Sequence, residues 1–233
     1  MAEGKTNHLE YVLILTAFAA GSTDIISFAK LGGIFASAMT GNLALLALYV
    51  ARGSMFSALG ALIALIGFIA GVALGTLLTR DRLNQNAVTI LLGAQTLLLI
   101  AVVTLWFAGA HRSGRPLADL LTLILANAMG LQGVIGKKIN LSSIPTVVFT
   151  STLTNIVISV TDTMARGNFS LGPDTKRQVI SLGLYFVGAV AAGLLCFFDF
   201  SIVIFLPLAA IVAAFTINFL KPNFGKPDSK DPP

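Results

Sequence analysis

The chain has 233 residues, of which 56% are hydrophobic and 11% charged, with a net charge of +5 at pH 7 and a mean hydropathy of +0.89. Soluble domains carry about twice that charged fraction, so the composition excludes a water-soluble globule and points to an all-α integral membrane protein embedded in a lipid bilayer. The pI near 9.6 does not imply a nucleic-acid partner, because the basic residues stand in small clusters between apolar runs (Arg80 and Arg82; Arg112 and Arg115; Lys137 and Lys138; Lys176 and Arg177) and build no stripe.

Eight apolar segments follow one another at 9–29, 34–51, 55–79, 87–109, 117–135, 142–160, 178–198 and 200–220, with Gly, Pro or charge in each gap. A helix needs roughly 20 apolar residues to cross about 30 Å of hydrocarbon. The first segment contains LTAFAAG at 15–21, similar to a signal-peptide cleavage site. Its flank holds one lysine offset by Glu3 and Glu10, so the segment reads as a retained first helix. Cys196 stands alone, which excludes an intrachain disulfide.

The first four segments resemble the last four. IFASAMTGNL (34–43) lies over IPTVVFTSTL (144–153), and FIAGVALGTL (68–77) over FVGAVAAGLL (186–195). The organisation expected is a cytoplasmic tail (1–8), a first membrane repeat (9–109), a connecting loop (110–116), a second repeat (117–220) and a polar tail (221–233). Loop charge differs in sign bias between equivalent loops, as in inverted repeats. Six spans with two short or re-entrant segments place 11 of the 15 Lys and Arg on the side of the termini, and eight spans place 10 there. Both arrangements put the two termini in the cytoplasm.

Polar residues inside the apolar segments are the candidate site. On a continuous helix Ser37, Thr40, Gly41 and Ala44 share a face, with Asn42 next to Gly41; in the sixth segment Ser143, Thr146, Thr150 and Thr154 share one, with Asn155 beside it and Thr152 off the stripe. Amides away from water need partners, and paired interrupted segments at matching places in two halves mark a transporter's site. Packing alone also explains hydroxyls and glycines in membrane helices. Asp24 is the sole acid inside the first segment and is a candidate carrier of a proton or cation; the alternative is that it reaches the headgroups or caps the next segment. Gln132, Asn127 and Gln95 suit interhelical hydrogen bonds. Gly67, Gly71 and Gly75, with Gly188 and Gly193, form small-residue stripes, expected where the third and seventh helices cross, or alternatively on a homodimer face.

AGSTDIISFAKLGGIFASAMTGN (20–42) resembles the signature of the YoaK-like bacterial membrane proteins, a family of unknown function, through Ala20, Gly21, Asp24, Ser27, Phe28, Leu31, Gly32, Gly33 and Met39 to Asn42. A second motif spans Ala128 to Gln132, Lys137, Lys138 and Thr146 to Thr154. Ser151 replaces a usual Gly there, and Gly133 a common Asn. The resemblance implies a bacterial inner membrane and six spans, and it supplies no substrate.

The expected function is a transporter or channel for a small neutral or cationic solute. Its site would be formed by Asp24, Ser37, Thr40, Gly41, Asn42 and Gln132 opposite Thr146, Thr150, Thr152 and Asn155, with a proton or cation as coupling ion. The alternative is a membrane scaffold or signalling protein whose polar residues only pack helices. No cofactor or metal is expected, and no enzyme activity, since His8 and His111 lie in loops with no carboxylate pair at one depth.

Overall fold

A computed structural model describes residues 3–80, 84–139, 149–166 and 170–220. Eight α-helices occur among them: α1 (Glu3–Lys30), α2 (Met39–Ala51), α3 (Met55–Leu78), α4 (Asn84–Phe107), α5 (Arg115–Ile139), α6 (Phe149–Ala165), α7 (Pro173–Phe197) and α8 (Phe205–Leu220). Six stretches are long and apolar enough to cross a membrane: His8–Lys30, Met55–Leu78, Asn86–Phe107, Arg115–Ile139, Pro173–Phe197 and Ser201–Leu220. The 13-residue α2, about 20 Å long, falls short of the roughly 30 Å hydrocarbon layer.

Polar contacts fix the helix directions. At the proximal end, where α1 begins, Arg177 of α7 pairs with Glu10 at 2.5 Å and Lys138 of α5 donates to the Thr79 carbonyl at 2.9 Å. At the distal end Lys30 pairs with Asp199 at 2.6 Å, and Arg115 donates to the Phe56 carbonyl. Hence α1 runs parallel to α7, and α3 parallel to α5. Asn218 reaches Thr89 at one end of the α4–α8 pair and Phe107 meets Phe205 at the other, so those two are antiparallel. Two parallel pairs of opposite direction therefore stand side by side, with α4 packed on α5 and on α8, and α8 on α1.

The parallel pairs approach at glycines. A Cβ on Gly21 would run into the Tyr185 carbonyl and the Ala189 amide, and one on Gly188 into the Phe18 carbonyl. In the other pair a Cβ on Gly130 would meet the Phe68 carbonyl and Val72 amide, and one on Gly71 the Asn127 carbonyl. Gly67 faces the Leu123 carbonyl and Gly75 the side chains of Leu91, Leu131 and Val134. This corrects the expectation that the third and seventh helices cross each other. Each packs instead on the first helix of the opposite half, so both stripes are occupied within the chain. Gly193 meets only Ile25, at ordinary distance.

The short helices lie outside this core. α2 packs on α3 and α6 on α7. α6 ends near the start of α7, with Ser159 and Thr175 hydroxyls 2.6 Å apart.

At the distal end Asp199 has φ 56°, the left-handed conformation that ends a helix and that Asp tolerates better than most residues. Its carboxylate reaches Lys30 and, at 3.6 Å, Arg112; the Lys30 hydrogen bond and charge hold it below the usual carboxylate range. The neighbouring His111 ring stacks on Trp106 with centroids 4.0 Å apart, and its Nδ1 donates to the Trp106 carbonyl. Burial lowers its pKa. A lowered value means that the neutral imidazole stabilises the fold above the unfolded pKa near 6.5, and that this contribution fades as pH falls through the folded pKa. An NMR titration of His111 is expected to show a midpoint below 6.5, moving upward in Trp106→Leu as the ring becomes solvated.

Candidate functional site

The chain between α1 and α2 builds the site. α1 ends because Gly32, at φ 101°, takes a left-handed conformation that a side chain would strain, and the Gly33 amide then bonds back to the Phe28 carbonyl. Residues 34–38 run without regular structure back alongside α1, and α2 starts at Met39. The return brings Ser37 level with Asp24, about 9 Å below Lys30 by helical rise. α2 then climbs to the distal end, where the Tyr49 hydroxyl lies beside Gly33. It enters and leaves from the same end.

Asp24 is 1% exposed. One carboxylate oxygen accepts the Ser37 amide at 2.6 Å; the other accepts the Ser37 hydroxyl at 2.6 Å and the Tyr185 hydroxyl of α7 at 2.8 Å. All three donors are neutral. The carboxylate therefore ties α1, the interrupted segment and α7 together at the entry to α2, where the helix dipole favours negative charge. No ion pair to Asp24 occurs among the described residues.

Asn42, wholly buried, closes the same segment from the other side. Its Oδ1 accepts the Phe35 amide at 2.9 Å and its Nδ2 donates to the Phe35 carbonyl at 2.6 Å. Gly41 makes room for the Phe35 ring, 3.2 Å from where its Cβ would stand, and that ring stacks on Phe28 with centroids 4.8 Å apart. Deeper in the core, Gln132 joins three helices: its Nε2 donates to the Thr16 carbonyl and its Oε1 accepts from Gln95, both at 2.9 Å.

Two expectations about these residues change. Ser37 and Thr40 do not share a helical face, because the helix begins after Ser37, which is buried while Thr40 is exposed. The two polar clusters also do not face each other, since α2 and α6 attach to different helix pairs. Thr150 and Asn155 are exposed on α6, Thr152 is buried, and Thr146 lies outside the described residues. Asn155 borders a groove of about 700 Å³ beside the start of α7, away from Asp24. Tyr185 is a member of the site that the sequence pattern does not single out. A hydroxyl in the middle of an apolar helix needs a partner, and that was the available signal.

The chain matches, over residues 12–217, the family described as protein of unknown function (DUF1275). It is similar to the UPF0700 transmembrane protein YoaK of Bacillus subtilis (strain 168), at 30% identity over 188 residues, covering 78% of this chain and 82% of the relative. No solved structure matches it.

Proposed function

The chain belongs to the DUF1275 family of proteins of unknown function, and from that premise we propose that it is a transporter or channel, not an enzyme, for a small neutral or cationic solute. Asp24 is its carrier of a proton or cation. The observation that carries this reading is a wholly buried carboxylate inside a membrane span, satisfied by three neutral donors, two from Ser37 and one from Tyr185 of α7. Acids in hydrocarbon cost roughly 3 kcal/mol at the centre of a span and mark ion and proton pathways. The half-membrane α2 beginning at that carboxylate adds to it, since broken helices line transporter sites.

On this reading the two halves are inverted repeats. Their packing supports it: α1 lies on α7 as α5 lies on α3, α1 on α8 as α5 on α4, and α2 on α3 as α6 on α7. The close approaches correspond, with Gly21 matching Gly130 and Gly188 matching Gly71. Arg80, Lys137, Lys138, Arg166, Lys176 and Arg177 belong to the proximal end, and this excess of basic residues supports a cytoplasmic side there, with both termini in the cytoplasm of a bacterial inner membrane. Solute access requires the Tyr185 or Ser37 hydroxyl to leave Asp24, which couples site opening to a shift of α7 or of residues 34–38.

Reconstituted vesicles containing a pH-sensitive dye test this. With a panel of small amines, polyols and alkali cations, the full chain is expected to speed collapse of an imposed pH gradient for at least one solute, and Asp24→Asn to slow that at least tenfold while remaining monodisperse. Equal collapse with and without the carboxylate would remove Asp24 from the mechanism. A second reading, a scaffold whose polar residues only hold helices, draws on the complete pairing of the Asp24 carboxylate and the Asn42 amide inside the chain. Gradients unaffected by either form favour it.

A further inference from the structure

The groove beside α6 is separate from the Asp24 site and does not depend on its role. Ser151, Asn155, Ser159, Asp162 and Arg166 recur at i, i+4, i+8, i+11 and i+15, forming one stripe about 22 Å long. The last four of these, with Thr163 and Ser170, line the cavity of about 700 Å³. Leu153, Val157 and Met164 are exposed on the other side of the helix, as residues facing lipid are. The groove thus opens at the proximal end of a helix bordered by hydrocarbon, where headgroups lie.

Asp162 and Arg166 stand one helical turn apart, the spacing at which opposite charges pair. Neither makes an ion pair among the described residues, and both are exposed. We propose that this groove binds the zwitterionic phosphoethanolamine headgroup of a membrane phospholipid, its ammonium on Asp162 and its phosphate on Arg166. An Arg fork suits a phosphate. Seven residues deeper than Asp162, about 10 Å along the helix, the Asn155 amide stands at the depth of the ester carbonyls and donates to them, with Ser159 and Thr163 between. A purely anionic headgroup would set its charge against Asp162, so the acid selects for a headgroup carrying an ammonium.

The test titrates the purified, delipidated full chain with phosphatidylethanolamine, phosphatidylglycerol and soluble phosphoethanolamine, counting bound molecules by native mass spectrometry. The ethanolamine lipid is expected to bind at least tenfold more tightly than the glycerol lipid. Asp162→Asn and Arg166→Gln, both at exposed positions, should each remove that preference. Equal retention of the two lipids, or a preference unchanged in both variants, overturns the proposal. Soluble phosphoethanolamine binding as tightly as the lipid overturns it too, and reassigns the groove to a water-borne zwitterion.

Discussion

Gly130→Val is expected to lower the unfolding temperature of the purified protein by roughly 6–12 °C, equivalent to about 3 kcal/mol. A side chain there meets backbone on three sides: the Phe68 carbonyl, the Val72 amide and the Gly71 Cα. Backbone cannot rotate out of the way as a flexible side chain can, so α3 and α5 must separate along their length. That separation loosens the Gly67 and Gly71 approaches and the Lys138–Thr79 bond together. Gly21→Val should act alike on α1 and α7, through the Tyr185 carbonyl, and also move the Tyr185 hydroxyl away from Asp24. The control is Gly183→Ala on the same α7, where an added Cβ has nothing within 4 Å and helix propensity improves. Thermal unfolding followed by dye-free fluorescence or aggregation checks all three. An unchanged midpoint for Gly130→Val would mean that the parallel pairs are not packed backbone to backbone.

The second large effect is expected from Asp24→Ala. It leaves the Ser37 amide, Ser37 hydroxyl and Tyr185 hydroxyl as buried donors without an acceptor, at about 1–3 kcal/mol each. Against this stands roughly 3 kcal/mol for no longer holding a carboxylate in hydrocarbon. The balance is a local loss of a few kcal/mol, concentrated in residues 31–38 because they have left the helical ladder. Asp24→Asn should be far milder. Its carbonyl still accepts the Ser37 amide, while its NH₂ faces two hydroxyls that can turn from donating to accepting. Hydrogen exchange over 31–38 is expected to rise at least 100-fold in the alanine variant and less than tenfold in the asparagine variant. Equal protection in both would show that the segment is held by Asn42 and Phe35 alone.

What was legible in the sequence follows physical range. Most apolar segments match the helices to within a few residues, because burial in lipid demands length and hydropathy that composition displays directly; the sixth, read as 142–160, is helix over Phe149–Ala165, and 140–148 lie outside the described residues. The third segment reads as 55–79 and the helix is Met55–Leu78; the second reads as 34–51, whereas helix begins only at Met39. Gly32 and Gly33 marked that break, but the following residues are apolar enough to pass for helix. The overlay of the two halves sets Phe68 over Phe186, whereas the residues whose backbone meets the glycines are Phe68 against Gly130 and Tyr185 against Gly21. An overlay of apolar residues tolerates a shift of register, and a backbone contact at a glycine does not. Tyr185 and Asp24 are 161 residues apart, and no local pattern encodes that meeting. Nor did spacing along a helix reveal that Asn42 would be consumed by Phe35, since that bond depends on a chain reversal.

The exchange of partners between halves bears on how the chain is made. α1 finds its partner only when α7 has been synthesised, whereas α3 finds α5 much sooner. At about 5–20 residues per second, the stretch from Asp24 to Tyr185 takes roughly 10–30 s to emerge. For that interval a newborn span carries an acid that only Ser37 can greet, and it must be sheltered by the insertion machinery or stay near its water-filled exit. The first half alone is therefore half a scaffold, and an α1–α4 fragment should be a substrate for membrane quality control.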